Sequence, residues 1–276
     1  MSRRTTAIAA ALTVLALGST LISSCANPLA NNLYNSGVVK QEQGDYQGAI
    51  DFYDKAVEIS PKFANAYYNR GVAKGDLGDY QGAIADYNKA IEISPKSADA
   101  YSNRGEAKRK LKDYQGAISD LNKALEINPQ NAMAYNSRGV AKSNLKDYQG
   151  AIADYNKVLE INPQNAIAYY NRGLSKDDSG DCEGAIADYT KAIEIDPQYA
   201  IAYGNRGNSK KQLGDNQGAI ADYTKAIEIN SQDANTYVNR GIIRELVNDL
   251  KGACDDWRKA LDLGVERPAE WVKKQC

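Results

Sequence analysis

Chemistry needs side chains that can carry it, and this chain offers few. Its 276 residues include no histidine, which removes the commonest general base and the commonest metal ligand. The four cysteines, Cys25, Cys182, Cys254 and Cys276, form no C-x-x-C pair, so no zinc ribbon is encoded. One acidic run, Asp177-Asp178-Ser179-Gly180-Asp181, looks like part of a calcium loop, but the ordered ligands and closing glutamate are missing. It reads as a solvated turn. No glycine-rich phosphate loop and no nucleophile beside a base is found. These residues describe a chain that is not an enzyme and takes no cofactor and no metal. Its 34 basic and 35 acidic residues leave a net charge of −1, which attracts no nucleic acid.

Cys25 stands apart from the other three by what precedes it. Arg3 and Arg4 lead an apolar stretch from Ala7 to Ile22. That stretch is short for a membrane span, which takes ~20 apolar residues, and suits a secretory signal. No later segment is apolar enough to cross a bilayer. Ile22-Ser23-Ser24-Cys25 resembles the lipobox of bacterial lipoproteins. The resemblance implies a lipoprotein-type signal peptide over 1–24, a diacylglycerol on the Cys25 thiol and an acylated new N-terminus. Several acyl chains anchor stably where one is marginal. Ordinary cleavage after Ala26 stays open, since Ser24-Cys25-Ala26 is also a small-x-small site. The expectation is an exported protein of the cell envelope, lipid-anchored and facing the periplasm. Its contact with the membrane is through that anchor alone.

The elements that position the rest come from self-similarity. Gly37, Gly71, Gly105, Gly139, Gly173, Gly207 and Gly241 stand 34 residues apart. Ala49, Ala83, Ala117, Ala151, Ala185, Ala219 and Ala253 keep the same step, as do Asp45, Asp79, Asp113, Asp147, Asp181, Asp215 and Asp249. Each unit reads as two helices. In the second, Ala64 to Leu77 is followed by a Gly78-Asp79 turn and by Tyr80 to Ile93. Gly78 suits a helix end and Asp79 a helix start, and Pro95 keeps Ser94 out of the helix. Gly71, mid-helix, costs about 1 kcal/mol against alanine, so its use is close helix crossing, opposite Ala83.

Ala66-Tyr67-Tyr68-Asn69-Arg70-Gly71, Leu77-Gly78-Asp79-Tyr80, Ala83-Ile84, Tyr87, Ala90 and Pro95 together resemble the tetratricopeptide repeat. The match runs from Ala30 to about Gly264. Leu33 departs from it in the first unit, and Cys182 and Asn216 replace Tyr80 in the fifth and sixth. The resemblance implies an all-α, right-handed α-solenoid of seven 34-residue helical hairpins. The first helix of every unit would line the concave wall. Residues 25–29 are left as a short tether, 30–264 as the repeats and 265–276 as a C-terminal capping helix, with Trp271 covering the last hairpin.

Seven copies separate shared packing from what is free for a partner. Arg70, Arg104, Arg138, Arg172, Arg206 and Arg240 precede the glycines, but the first unit has Ser36. Sixteen residues on stand Asp86, Asp120, Asp154, Asp188, Asp222 and Asp256, but the first unit has Phe52. Both partners switch in the same copy, which predicts a structural ion pair within each hairpin. Lys74 and its counterparts, three after each glycine, read as apolar stems with solvated heads. Asn35, Asn69, Asn103, Asn171, Asn205 and Asn239 would lie on the inner wall. Each offers one acceptor and two donors to a peptide backbone, as in the similar superhelix of O-linked N-acetylglucosamine transferase. Local helix–helix bonding is the alternative. Tyr34, Tyr68 and Tyr170 share a position that varies elsewhere, and are candidate anchors for a partner's apolar side chains.

Cys254 lies on the outer helix of the last hairpin and Cys276 ends the capping helix. Export permits a disulfide between them; two buried thiols side by side is the other possibility. The function expected is a non-catalytic protein–protein interaction scaffold, holding an extended peptide or helix of an unidentified protein in the groove. The alternative is a structural or self-associating module of a larger envelope complex.

Overall fold

A computed structural model describes residues 27–276. It is all-helical, with fifteen helices and no strand among the described residues. They are α1 Pro28–Glu42, α2 Tyr46–Ile59, α3 Ala64–Asp76, α4 Tyr80–Ile93, α5 Ala98–Lys110, α6 Tyr114–Ile127, α7 Ala132–Asn144 and α8 Tyr148–Ile161. Then come α9 Ala166–Asp178, α10 Cys182–Ile195, α11 Ala200–Gln212, α12 Asn216–Ile229, α13 Ala234–Leu246, α14 Leu250–Asp262 and α15 Ala269–Gln275. The chain divides into two compact units, one ending at Pro129 and one from Gln130 to Cys276. The first holds three hairpins, α1/α2 to α5/α6. The second holds four, α7/α8 to α13/α14, and ends in α15. Within each unit consecutive hairpins pack as in a tetratricopeptide solenoid. Inside a unit each second helix meets its own first helix and, where another hairpin of that unit follows, the first helix of that hairpin.

The local sequence sets the helix ends. The aspartate repeated every 34 residues is the N-cap of each second helix: the Asp79 side chain accepts from the Gly82 amide, and Asp113 from Gly116, at 2.9 Å. This satisfies one of the amide groups a helix start leaves unpaired. The preceding turn needs one residue at positive φ. Gly78 supplies it at +83°, while Lys112, Lys146 and Asn248 adopt about +65° in the same place.

The mid-helix glycine seats a ring. A Cβ on Gly71 would lie 2.7 Å from Cε1 of Tyr87 and 3.2 Å from the Ala83 carbonyl oxygen. What lies opposite Gly71 is therefore chiefly the tyrosine ring, with the alanine backbone beside it. Tyr53, Tyr155, Tyr189 and Tyr223 repeat this arrangement, Leu121 replaces the ring in the third hairpin and Trp257 enlarges it in the last. These side chains are fully or almost fully buried.

The two ends differ from the sequence reading. α1 begins at Pro28, inside the stretch assigned to the tether, because Asn27 accepts from the Leu29 amide and proline suits the first helical turn. The capping helix occupies only Ala269–Gln275 rather than all of 265–276, since Gly264 turns at φ +90° and Pro268 stands at the helix start. Cys254 and Cys276 are bonded, with Cα atoms 5.6 Å apart. Trp271 packs on the cluster of Ile227, Tyr237, Val238 and Ala260, its ring 5.2 Å from that of Trp257. Cys182 is free and buried. Cys25 and the signal segment lie outside the described residues.

Candidate functional site

Three cationic and acidic columns lock the hairpins. Arg70 donates to both carboxylate oxygens of Asp86, at 2.9 and 2.5 Å. The same fork joins Arg104 to Asp120, Arg138 to Asp154, Arg172 to Asp188, Arg206 to Asp222 and Arg240 to Asp256. All six aspartates are buried. Each arginine also stacks on the tyrosine three residues earlier, as Arg70 does on Tyr67 at 5.2 Å. Burial draws the Arg70 guanidinium down, but the bond and charge of Asp86 outweigh it and hold it above its ordinary value.

The lysine column is not solvated, as the sequence suggested. Lys74 Nζ lies 2.8 Å from Asp86, and Lys108, Lys142, Lys176 and Lys210 sit equally close to their aspartates. Each buried carboxylate thus holds two cations. Lys40 of the first hairpin, with no such aspartate, turns to Asp45 at 2.9 Å. These columns are consumed by the fold. So is much of the acidic run: Asp177 accepts from Ser209 Oγ at 2.7 Å and Tyr189 hydroxyl at 3.3 Å, and burial raises its carboxyl. It was not legible as a bonded group because a turn composition hides which residue points inward.

The asparagines stand on the first helices and reach backwards. Asn69 Nδ2 donates to the Tyr34 hydroxyl at 2.9 Å, Asn103 to Tyr68 at 2.7 Å and Asn205 to Tyr170 at 3.0 Å. Asn171 donates to Asn136 and Asn239 to Asn208. The two candidate columns, asparagine and tyrosine, are therefore partners of each other across neighbouring hairpins. Sequence reasoning treated them separately because they lie 35 residues apart. Each bond uses an amide N–H; none of them uses the carbonyl oxygen of Asn69, Asn103 or Asn171. Burial pushes the Tyr170 hydroxyl up to about 12, so it stays protonated at neutral pH. Asn35, in the first hairpin, is exposed.

Around these columns the same face carries the residues that vary most. In the first unit a cleft of about 310 Å³ is lined by Val38, Gln41, Glu42, Tyr46, Asn69 and Asp76. In the second, a cleft of about 240 Å³ is lined by residues including Val140, Asn171, Leu174 and Asp178. Met133, Ile167 and Ile201, at one position in three successive first helices, are about half exposed; Asn65 and Asp99 hold that position in the first unit. Among the described residues no group of three or more cysteines or acids is placed to hold a metal, and no helix is long and apolar enough to cross a membrane.

A family model described as TPR repeat matches residues 39–78, 75–111, 178–214 and 207–246, a little over half of the chain. One described as Tetratricopeptide repeat matches 98–131 and 132–165. Among solved structures, a tetratricopeptide repeat protein from Parabacteroides merdae is 25% identical with a TM-score of 0.67, covering 90% of this chain and 98% of that one. The MamA protein is 28% identical with a TM-score of 0.57, covering 62% and 94%. YrrB, described as a TPR protein with an unusual peptide-binding site, is 23% identical with a TM-score of 0.58, covering 67% and 95%. No curated protein matches.

Proposed function

The chain belongs to the tetratricopeptide repeat family, and on that premise we propose that it is a protein–protein interaction scaffold that holds a partner's peptide segment along the face of its first helices. The observation that carries this is the division of labour among the repeats. The constant charged columns are locked within and between hairpins, while the positions that change from copy to copy gather on one face beside unspent asparagine carbonyls. A peptide backbone supplies N–H donors for such acceptors whatever its sequence, and Tyr34, Tyr68 and Tyr170 add apolar area for its side chains. A peptide-binding site in YrrB is a use of the same kind. Attachment to the envelope through a lipid on Cys25 completes the proposal.

The variants follow from the geometry. Tyr68→Phe removes only the acceptor of Asn103, whereas Asn103→Ala removes the amide itself. Partner retained from envelope extracts on the wild-type protein should be lost with Asn103→Ala and kept with Tyr68→Phe, at similar melting temperatures. Equal loss in both would assign these asparagines to the fold alone. Cys25→Ser should leave the membrane fraction; a wild-type mature protein with a free N-terminus at Asn27 would rule out the anchor.

A self-associating module is the weaker reading. Stacking of copies end to end would press α1 of one copy on the last hairpin of another. Asn32 and Val39 occupy, on α1, the places of Ala66 and Ala73, which are fully buried where hairpins meet.

A further inference from the structure

In the first unit the residue that ends the first helix changes sign from hairpin to hairpin. α1 ends at Glu42 and α3 at Asp76, while α5 ends at Lys110. The last turn of a helix is its negative end, where unpaired carbonyls favour a cation and oppose a carboxylate. Glu42 and Asp76 therefore stand against the field of their own helices. Both are exposed, and neither enters an ion pair among the described residues. The cations beside them are engaged elsewhere: Lys40 holds Asp45, while Arg70 and Lys74 hold Asp86. The fold makes no use of these two charges.

Both carboxylates line one cleft, that of about 310 Å³ between α1, α3 and the start of α2. Its volume is at the low end of small-ligand sites, roughly 300–1,000 Å³. Val38 and Tyr46 give it an apolar wall, and Gln41 and Asn69 are each fixed by one bond. Asn69 donates to the Tyr34 hydroxyl at 2.9 Å, which leaves its carbonyl oxygen as an acceptor beside the carboxylates. Gln41 accepts from the Tyr53 hydroxyl at 2.9 Å, which leaves its amide for a carbonyl of a partner's backbone. No cation lines this cleft. The corresponding cleft of the second unit has Asn144 in the place of Glu42, and Asn144 donates to the Val140 carbonyl of its own helix at 2.8 Å. One carboxylate, Asp178, lines it.

The first cleft selects a cation that carries apolar atoms behind its charge. An anion would meet two like charges, and an apolar side chain would strip water from both carboxylates without pairing them. A guanidinium on its methylene stem meets every part of the lining. The stem lies along Val38 and the Tyr46 ring, and the planar fork of donors faces Glu42, Asp76 and the Asn69 carbonyl. We propose that the cleft at Glu42 and Asp76 receives an arginine side chain of the bound partner segment. This rests on the reading that the protein holds such a segment, but its test does not need the partner.

The probe is the capped peptide acetyl-Ala-Arg-Ala-amide, titrated at low salt into the whole isotope-labelled protein with amide shifts as readout. Shifts should saturate at Val38, Glu42, Asn69 and Asp76. The same peptide with citrulline, a neutral isostere, in place of arginine should bind about tenfold more weakly or worse. Glu42→Gln with Asp76→Asn keeps the shape of the cleft and should weaken the arginine peptide by a similar factor. The double variant should melt no lower than the wild type, because both acids sit at helix ends that disfavour them. Asp178→Asn, in the cleft of the second unit, should leave binding unchanged. Equal binding of the two peptides, wild-type affinity or a lower melting temperature in the double variant, or loss of binding in Asp178→Asn would each overturn the proposal. So would calcium ion that shifts the same amides at lower concentration than the peptide. If the peptide binds as expected but no partner is retained from envelope extracts, the subsite stands and the scaffold reading falls. If a partner is retained and the peptide does not bind, the arginine subsite falls and the scaffold reading stands.

Discussion

Among the described residues, the first and last hairpins each pack against a neighbouring repeat on one side alone. In the first, Asn32 is exposed, Ser36 is half-buried and Val39 is 50% exposed. Leu33, Ser36 and Phe52 replace the tyrosine, arginine and aspartate that act together in every later copy. In the last, the open side stays apolar: Cys254, Trp257 and Ala260 are buried, covered by α15, which the bond to Cys276 holds in place. Arg258 reaches the Cys276 carbonyl at 3.1 Å as a further tie. One end is made polar and the other is covered. The difference teaches that a repeat position is fixed by its neighbour as much as by its own helix.

The strongest way to break this comparison is to remove the buried carboxylate of the last hairpin. Asp256→Asn leaves Arg240 and Arg244 facing a neutral group, and losing one partner of a buried pair costs about 3–5 kcal/mol. Phe52→Ala, at the same position of the first hairpin, should cost only about 1 kcal/mol for its half-buried ring. Urea unfolding of both variants measures the contrast, and equal losses would erase it. Cys276→Ser, or reduction, should cost about 3 kcal/mol on the chain-entropy estimate and expose the amides of α15 to hydrogen exchange. Protection of α15 that survives reduction would show that Trp271 packing alone holds the cap.

The smaller effects sharpen the comparison further. Ala107→Val overpacks a closed junction and should destabilise by about 1–3 kcal/mol. Val39→Ala, its counterpart on the open side of the first hairpin, should stay within about 0.5 kcal/mol. The smallest effect concerns Asp177. Gln41 meets the Tyr53 hydroxyl with a neutral amide at 2.9 Å, where Asp177 meets Tyr189 with a carboxyl that burial raises above 3.8. A carboxyl raised in the folded state stabilises fully below its unfolded value, and that contribution is lost as pH rises through the folded value. Asp177→Asn should therefore melt about a degree or two higher at pH 7, with the gain vanishing below pH 3.8. A constant difference across pH would show that ionisation plays no part.

The sequence carried the fold because seven copies repeat the signals that define it: the capping aspartate, the ring-seating glycine and the closing proline. The arginine–aspartate forks were legible for a different reason, since Ser36 and Phe52 change together. The lysine column was not, because Lys40 is kept in the first hairpin although its acceptor there is Asp45. The bond from Asn69 to Tyr34 joins two hairpins, and period analysis aligns copies without showing which columns touch.

The arginines have one more consequence. Besides its own aspartate, Arg70 donates to Asp54 of the hairpin before it, while Arg104, Arg172, Arg206 and Arg240 reach Asn88, Asn156, Thr190 and Thr224. In a linear array such bonds are the coupling between nearest neighbours, and here they have a direction. Losing a hairpin deprives its follower of a bond to the guanidinium, whereas the hairpin before it keeps its own fork whole. Fraying that enters from the first hairpin must break an ion pair to go further, while those four later junctions resist with neutral acceptors.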